Sequence, residues 1–133
     1  GGLAEAVAAI GTPGILKTRR DGYDGKGQWR IRDAAQAEAL ALPAVPLVYE
    51  GLVAFAAEFS VIQVRGRDGE VRFWDCPHNT HEHGILAHSM LPAPAIVAAQ
   101  QDAARALAAR IAAGLGYVGV LSCEFFATPA GPV

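Results

Sequence analysis

The stretch Lys17-Thr-Arg-Arg-Asp-Gly-Tyr-Asp-Gly-Lys-Gly-Gln28 constrains this chain more than any other. Gly22, Gly25 and Gly27 stand there among four basic side chains, and the next residues, Gln28-Trp-Arg-Ile-Arg32, alternate polar and apolar as a strand does. Glycine admits positive φ and lets backbone approach a ligand closely. Successive N–H groups in such a loop can converge on an anion. The spacing therefore predicts the tip of a β-hairpin. It is not a P-loop, because Lys26 is followed by Gly27 instead of Ser or Thr, and it does not open a helix as a dinucleotide-binding glycine motif would. Between Lys17 and Arg32 six basic side chains face two aspartates, a local charge of +4 on a chain of net charge −2. A basic segment on an acidic chain suits a small anion better than a nucleic acid, which asks for a broad basic face. Two readings fit: a cradle for a polyphosphate, or a solvated glycine-rich hairpin.

With 133 residues, 52% of them hydrophobic, the chain can build one domain with a core. No run approaches the roughly 18 apolar residues that span a bilayer, and the first residues lack the plan of a signal peptide, so the reading is a cytoplasmic protein with neither membrane nor nucleic-acid partners. Cys76 and Cys123 lack metal or disulfide spacing and read as buried thiols. Both ends look cut. A strand near Thr128 is followed by a Pro-Ala-Gly-Pro turn signal that should lead into another strand, and the expectation is a fragment of a longer chain.

The pattern predicts an α+β order. Residues 3–10 read as a short helix, 14–18 and 28–32 as strands, and 34–40 as a helix capped by Asp33. A Pro-rich connector, 42–46, precedes a strand at 47–50. Residues 57–65 and 71–76 read as strands joined by Gly66-Arg-Asp-Gly69, where Asp-Gly supplies the positive φ of a hairpin turn. Residues 93–113 form the longest helix, with Leu107 and Ile111 one turn apart and Gly114 as its stop. The last strand covers 117–128.

Three further clusters can carry chemistry. In Val118-Gly-Val-Leu-Ser-Cys-Glu-Phe-Phe126, alternation puts Val120, Ser122, Glu124 and Phe126 on one face. Glu124 is the one charge of the strand, and burial would demand a cation such as a metal; an edge position reaching solvent is the other reading. Glu50 and Glu58 flank a strand break, able to bind a hydroxyl or amine or simply to face water. In His78-Asn-Thr-His-Glu-His83, with His88 beyond, alternation would put His81 and His83 on one face as a metal pair, although an ordinary polar strand end fits better.

Lys17-Thr-Arg-Arg, Gly22-Tyr-Asp-Gly-Lys-Gly-Gln28, Glu50-Gly, Glu58-Phe-Ser-Val, Arg65-Gly-Arg-Asp-Gly-Glu-Val, His78-Asn-Thr-His, Gly84-Ile-Leu and Leu115-Gly-Tyr-Val-Gly-Val, with Glu124-Phe-Phe, stand in the order found in the N5-carboxyaminoimidazole ribonucleotide synthetase family. The chain resembles that family from Leu3 to Gly131. The glycine loop and the His-Asn-x-His…Gly-Ile-Leu spacing are more specific than general ATP-grasp features.

The resemblance implies part of an α+β ATP-grasp domain, with residues 14–52 as a small lid and 53–133 as the start of the larger ATP-binding subdomain. Enzymes of the family use ATP and bicarbonate, through carboxyphosphate, to carboxylate aminoimidazole ribonucleotide in purine biosynthesis. Lys17 would meet the α- and β-phosphates, and Gly22, Tyr23, Asp24, Gly25, Lys26, Gly27 and Gln28 would cover the triphosphate. Glu50, Gly51, Leu52 and Val53 would line the adenine, Glu58 the ribose hydroxyls, and His81 the nucleotide. Glu124 would be one of two magnesium-binding glutamates. ATP and Mg2+ are the implied cofactors, bicarbonate and the ribonucleotide the substrates, and a homodimer or self-associating fragment the assembly. The family's second metal glutamate falls past Val133, so no catalytic residue is assigned here and the chain alone is expected to be inactive. Ala87 stands where the family usually has arginine. Another ATP-grasp ligase, or a non-catalytic nucleotide-binding module, remains an alternative.

Overall fold

A computed structural model describes residues 2–22 and 26–133. They form two compact units: one runs to Val53 and includes His83–Ile85, and the other comprises Ala54–Glu82 and Leu86–Val133.

The first unit begins with helix α1 (Leu3–Ile10), followed by strands β1 (Gly14–Thr18) and β2 (Gln28–Ile31), helix α2 (Ala34–Ala39) and strand β3 (Leu47–Gly51). β1 lies between β2 and β3 and is antiparallel to both. The predicted hairpin is therefore present, with Lys17 opposite Gln28. Leu16, Ile31 and Tyr49 on the sheet pack with Leu3 and Val7 of α1 and Ala37 of α2. Gly14 is required by this packing, because a Cβ there would collide with the Tyr49 ring and the Glu50 carbonyl. Asp33 caps α2 as expected, its carboxylate accepting from the Gln36 N–H at 2.8 Å, while the Gln36 carboxamide accepts from the Arg32 N–H at 2.9 Å. This reciprocal pair satisfies two donors at the helix start.

The second unit holds β4 (Ala57–Arg65), β5 (Val71–Phe73), β6 (His78–Glu82), β7 (Ile85–Met90), helix α3 (Ala95–Gly114), β8 (Gly119–Thr128) and β9 (Gly131–Pro132). The sheet order is β7-β6-β4-β8-β9, with β5 also on β4. β4 and β8 are antiparallel along their whole length, from Ala57 opposite Ala127 to Arg65 opposite Gly119. One face of this pair, with Phe59, Val61, Phe125 and Ala127, packs on α3. Alternation sends the opposite residues of both strands to the other face.

Several boundaries differ from the sequence reading, each for a physical reason. The strand expected at 71–76 ends at Phe73, because β5 and β6 share one edge of β4: β5 pairs at Gln63–Arg65 and β6 at Glu58–Phe59, so residues 74–77 must pass from one to the other. β7 was not foreseen as a strand, and β6 was read only as a polar strand end. Alternation fails at His83, whose φ of 54° with Gly84 at 81° makes the link between them, so the metal-pair reading of His81 and His83 on one strand face does not hold, and His78–Glu82 is the polar strand end. α3 starts two residues late, because Pro94, extended at ψ 159°, is its N-cap. Its last residue is Gly114, and Leu115 is the C-cap. Gly116, at φ 59°, takes the left-handed position, and the Tyr117 and Gly116 N–H groups bond to the Ala112 and Ala113 carbonyls in the pattern of a Schellman motif. The buried stripe of α3 is Val97, Ala104, Ala108 and Ala112, while Ile111 is exposed: small side chains let the helix lie close on β4.

Candidate functional site

In the first unit the candidate residues Lys17 and Glu50 lie on the sheet face away from the helices. Leu16 takes the helix side of β1, so Lys17 points the other way. The register sets Val48 opposite Lys17 and Glu50 opposite Ile15, which makes Lys17 and Glu50 a diagonal pair; their side chains meet at 2.6 Å. Glu50 neutralises the ammonium before any ligand does. Gly51 ends β3, and Leu52 and Val53 follow with half-exposed apolar side chains; the Leu52 N–H bonds to the Pro13 carbonyl.

Beyond Lys17 the chain enters the basic loop. The Thr18 N–H donates to the Gly27 carbonyl at 2.9 Å and the Arg19 N–H to the Pro46 carbonyl at 3.0 Å. Gly27 sits at φ 70°, and a Cβ there would come within 2.7 Å of the Thr18 hydroxyl, so both conformation and space require glycine. Gly22 is not left-handed; the positive φ on that side belongs to Asp21, at 63°. Lys17, Arg19, Arg20, Lys26 and Gln28 line a cavity of about 340 Å³, and a second of about 520 Å³ opens between Arg19, Arg20 and the apolar pair Val45 and Pro46. The predicted residues Tyr23, Asp24 and Gly25 lie outside the described residues.

In the second unit the polar residues share the sheet face opposite α3. Glu58 and Asn79 are register partners on β4 and β6, and His81 lies two residues along β6. The His81 Nδ1 is paired with the Glu58 carboxylate, so the two residues assigned to the nucleotide from sequence stand together. Ser60 and Glu124 are register partners on β4 and β8. Glu124 is exposed, so burial does not oblige it to take a cation partner. Its Oε1 accepts from the Ser60 hydroxyl at 2.7 Å and the Ser122 hydroxyl at 3.3 Å, and its Oε2 accepts from the Asn79 amide at 2.8 Å. Asn79 is nearly inaccessible, at 2% exposure, and its Oδ1 accepts from the Ser89 hydroxyl of β7 at 2.8 Å.

Asn79, Ser60 and Ser89 were not singled out from sequence. Asn79 and Ser60 stand inside the quoted motifs, yet only the register of three strands reveals their link to Glu124. An exposed carboxylate with hydrogen-bonded oxygens is a hard donor that fits a divalent ion completing its shell with water and phosphate oxygens. Among the described residues no group of three or more His, Cys, Asp or Glu could hold a metal unaided. His78 and His88 join no such group. Both cysteines are free; burial raises the Cys76 thiol pKa despite the opposing pull of Arg105, and burial and then the Glu124 charge raise that of Cys123. Neither is a ready nucleophile. No helix is long and apolar enough to cross a membrane among the described residues.

A model of the ATP-grasp domain matches residues 2–133. The chain belongs to the ATP-grasp family. It is similar to the N5-carboxyaminoimidazole ribonucleotide synthase of Pseudomonas aeruginosa, at 46% identity over 97% of this chain and 36% of the relative. The crystal structure of N5-carboxyaminoimidazole ribonucleotide synthetase from Thermus thermophilus superposes with a TM-score of 0.86 at 43% identity, over 98% of this chain and 35% of that one. The crystal structure of the ADP complex of another N5-carboxyaminoimidazole ribonucleotide synthetase superposes at 0.82 with 38% identity, over 98% of this chain and 35% of that one. The chain thus spans about a third of the length of the curated relatives it matches.

Proposed function

We propose that this ATP-grasp chain is the nucleotide-binding part of an N5-carboxyaminoimidazole ribonucleotide synthetase, a cytoplasmic enzyme that uses ATP and bicarbonate to carboxylate aminoimidazole ribonucleotide. The observation that carries the reading is the basic β1–β2 loop, where Lys17, Arg19, Arg20 and Lys26 line one cavity above a glycine-dependent turn. On this reading residues 14–52 form the lid and 53–133 begin the larger subdomain. Lys17 exchanges Glu50 for the α- and β-phosphates, a charge-assisted contact. The loop from Gly22 to Gln28 covers the triphosphate and excludes water from a hydrolysable intermediate. Leu52 and Val53 offer apolar surface to the adenine, with Glu50 and Gly51 beside them. Glu58 accepts from the ribose hydroxyls, and His81 holds the Glu58 carboxylate and contacts the nucleotide. Glu124 would hold Mg2+, which supplies charge neutralisation at the transferring phosphoryl group.

The test is phosphate release by the whole protein that carries this chain. Release that requires both bicarbonate and aminoimidazole ribonucleotide supports the assignment. Release with bicarbonate and a different amine or acid would point instead to another ATP-grasp ligase, and nucleotide binding without turnover to a non-catalytic module.

A further inference from the structure

We propose that Asn79 is a positioning residue that fixes the Glu124 carboxylate for a divalent cation, with Ser89 holding Asn79 in turn. The proposal rests on the metal-binding reading of Glu124 and adds to it a relay that crosses four strands. Ser89 on β7 donates to the Asn79 Oδ1 at 2.8 Å, which leaves the Asn79 Nδ2 facing β4 and β8. That amide donates to the Ser60 hydroxyl at 2.5 Å and to the Glu124 Oε2 at 2.8 Å. Ser60 donates to the other carboxylate oxygen at 2.7 Å. Ser122 also donates to Oε1, at 3.3 Å, so Oε1 carries two hydrogen bonds and Oε2, held by Asn79 alone, keeps a lone pair for a cation.

The arrangement is specific in its polarity. Glu124 can only accept, so every bond to it must be donated, and an amide whose carbonyl end is already engaged by Ser89 can present only its N–H2 end. Asn79 is also buried, unlike the carboxylate it holds, so its orientation does not depend on solvent. Groups that orient a metal-binding carboxylate in this way commonly contribute 10–100-fold to metal affinity.

The test uses the whole protein with ADP, and Mn2+ followed by electron paramagnetic resonance as the probe. Asn79→Ala should weaken Mn2+ binding roughly 10–100-fold, with ADP affinity in the absence of metal unchanged. Ser89→Ala, on an exposed strand, should weaken Mn2+ in the same direction by a smaller factor, and it decides the matter if Asn79→Ala does not fold. Adding Asn79→Ala to Glu124→Gln should cause no further loss. Unchanged Mn2+ affinity in both single variants, with Glu124→Gln weakened, would overturn the positioning role alone. Unchanged affinity in Glu124→Gln would overturn the metal reading and this proposal with it. A role confined to folding would lower the unfolding temperature and leave Mn2+ affinity as it was.

Discussion

Lys17 and Glu50 form an ion pair whose two side chains are a third and a half exposed, so its own contribution to stability is small, about 0–1 kcal/mol. Its value is in holding a cation beside the basic loop. Lys17→Met should therefore barely change the unfolding temperature but weaken ADP binding to the whole protein by about 1.5–3 kcal/mol, the range for hydrogen bonds to charged groups. Calorimetric titration of wild type and variant checks this, and equal affinities would remove Lys17 from the site. The thiols give a pH prediction. Burial raises the folded pKa of Cys76 above its ordinary 9.0, so the folded state favours the protonated thiol. The associated stability is fully present below pH 9 and is lost as pH rises through the higher folded value. Unfolding midpoints should fall over that range, and Cys76→Ala should flatten the fall. Lys17 and Glu124 could be singled out from the sequence because motifs mark them. Asn79 was not, since its partners lie 10, 19 and 45 residues away along the chain.

At the scale of elements, local signals were read well and tertiary ones poorly. Asp33 and the Asp-Gly turn act within a few residues, and both are found where the sequence put them: Gly69, at φ 88°, closes the β4–β5 turn. Asp33→Ala should cost about 1 kcal/mol through the lost cap, measurable by denaturant unfolding. The spacing of Leu107 and Ile111 did not reveal the packed face of α3: Leu107 is partly buried against the core and Ile111 is exposed, and contact with the strands selects for small volume. Ala104, Ala108 and Ala112 have no exposed surface. Ala108→Leu should therefore destabilise by about 1–3 kcal/mol through overpacking, and Ile111→Ala should change stability little. A loss at Ile111 equal to that at Ala108 would contradict the burial pattern. The Ala108 site carries a second constraint, because its carbonyl accepts from the Gln63 amide at 2.7 Å and a displaced helix would break that buried bond.

At the scale of the whole molecule, sheet edges govern association. β8 is paired with β4 from Gly119 to Ala127, but on its other side β9 pairs only with Ala127 and Thr128, and Val133 adds bonds to Phe126. Among the described residues no strand pairs with the stretch from Gly119 to Phe125 on that side. A row of unpaired backbone groups on a long strand is a template for another chain. Val118 and Val120 are about half exposed there, and Leu115 just before them is 71% exposed, so apolar surface accompanies the open edge. The isolated 133-residue chain should consequently self-associate. Sedimentation velocity over a range of concentrations should show a species that grows with concentration, and Val120→Lys, which sets a charge on the edge strand, should shift it toward monomer. A chain that stays monomeric at every concentration, with β8 protected from hydrogen exchange, would show that β9 and the turn before it are sufficient to close this side of the sheet.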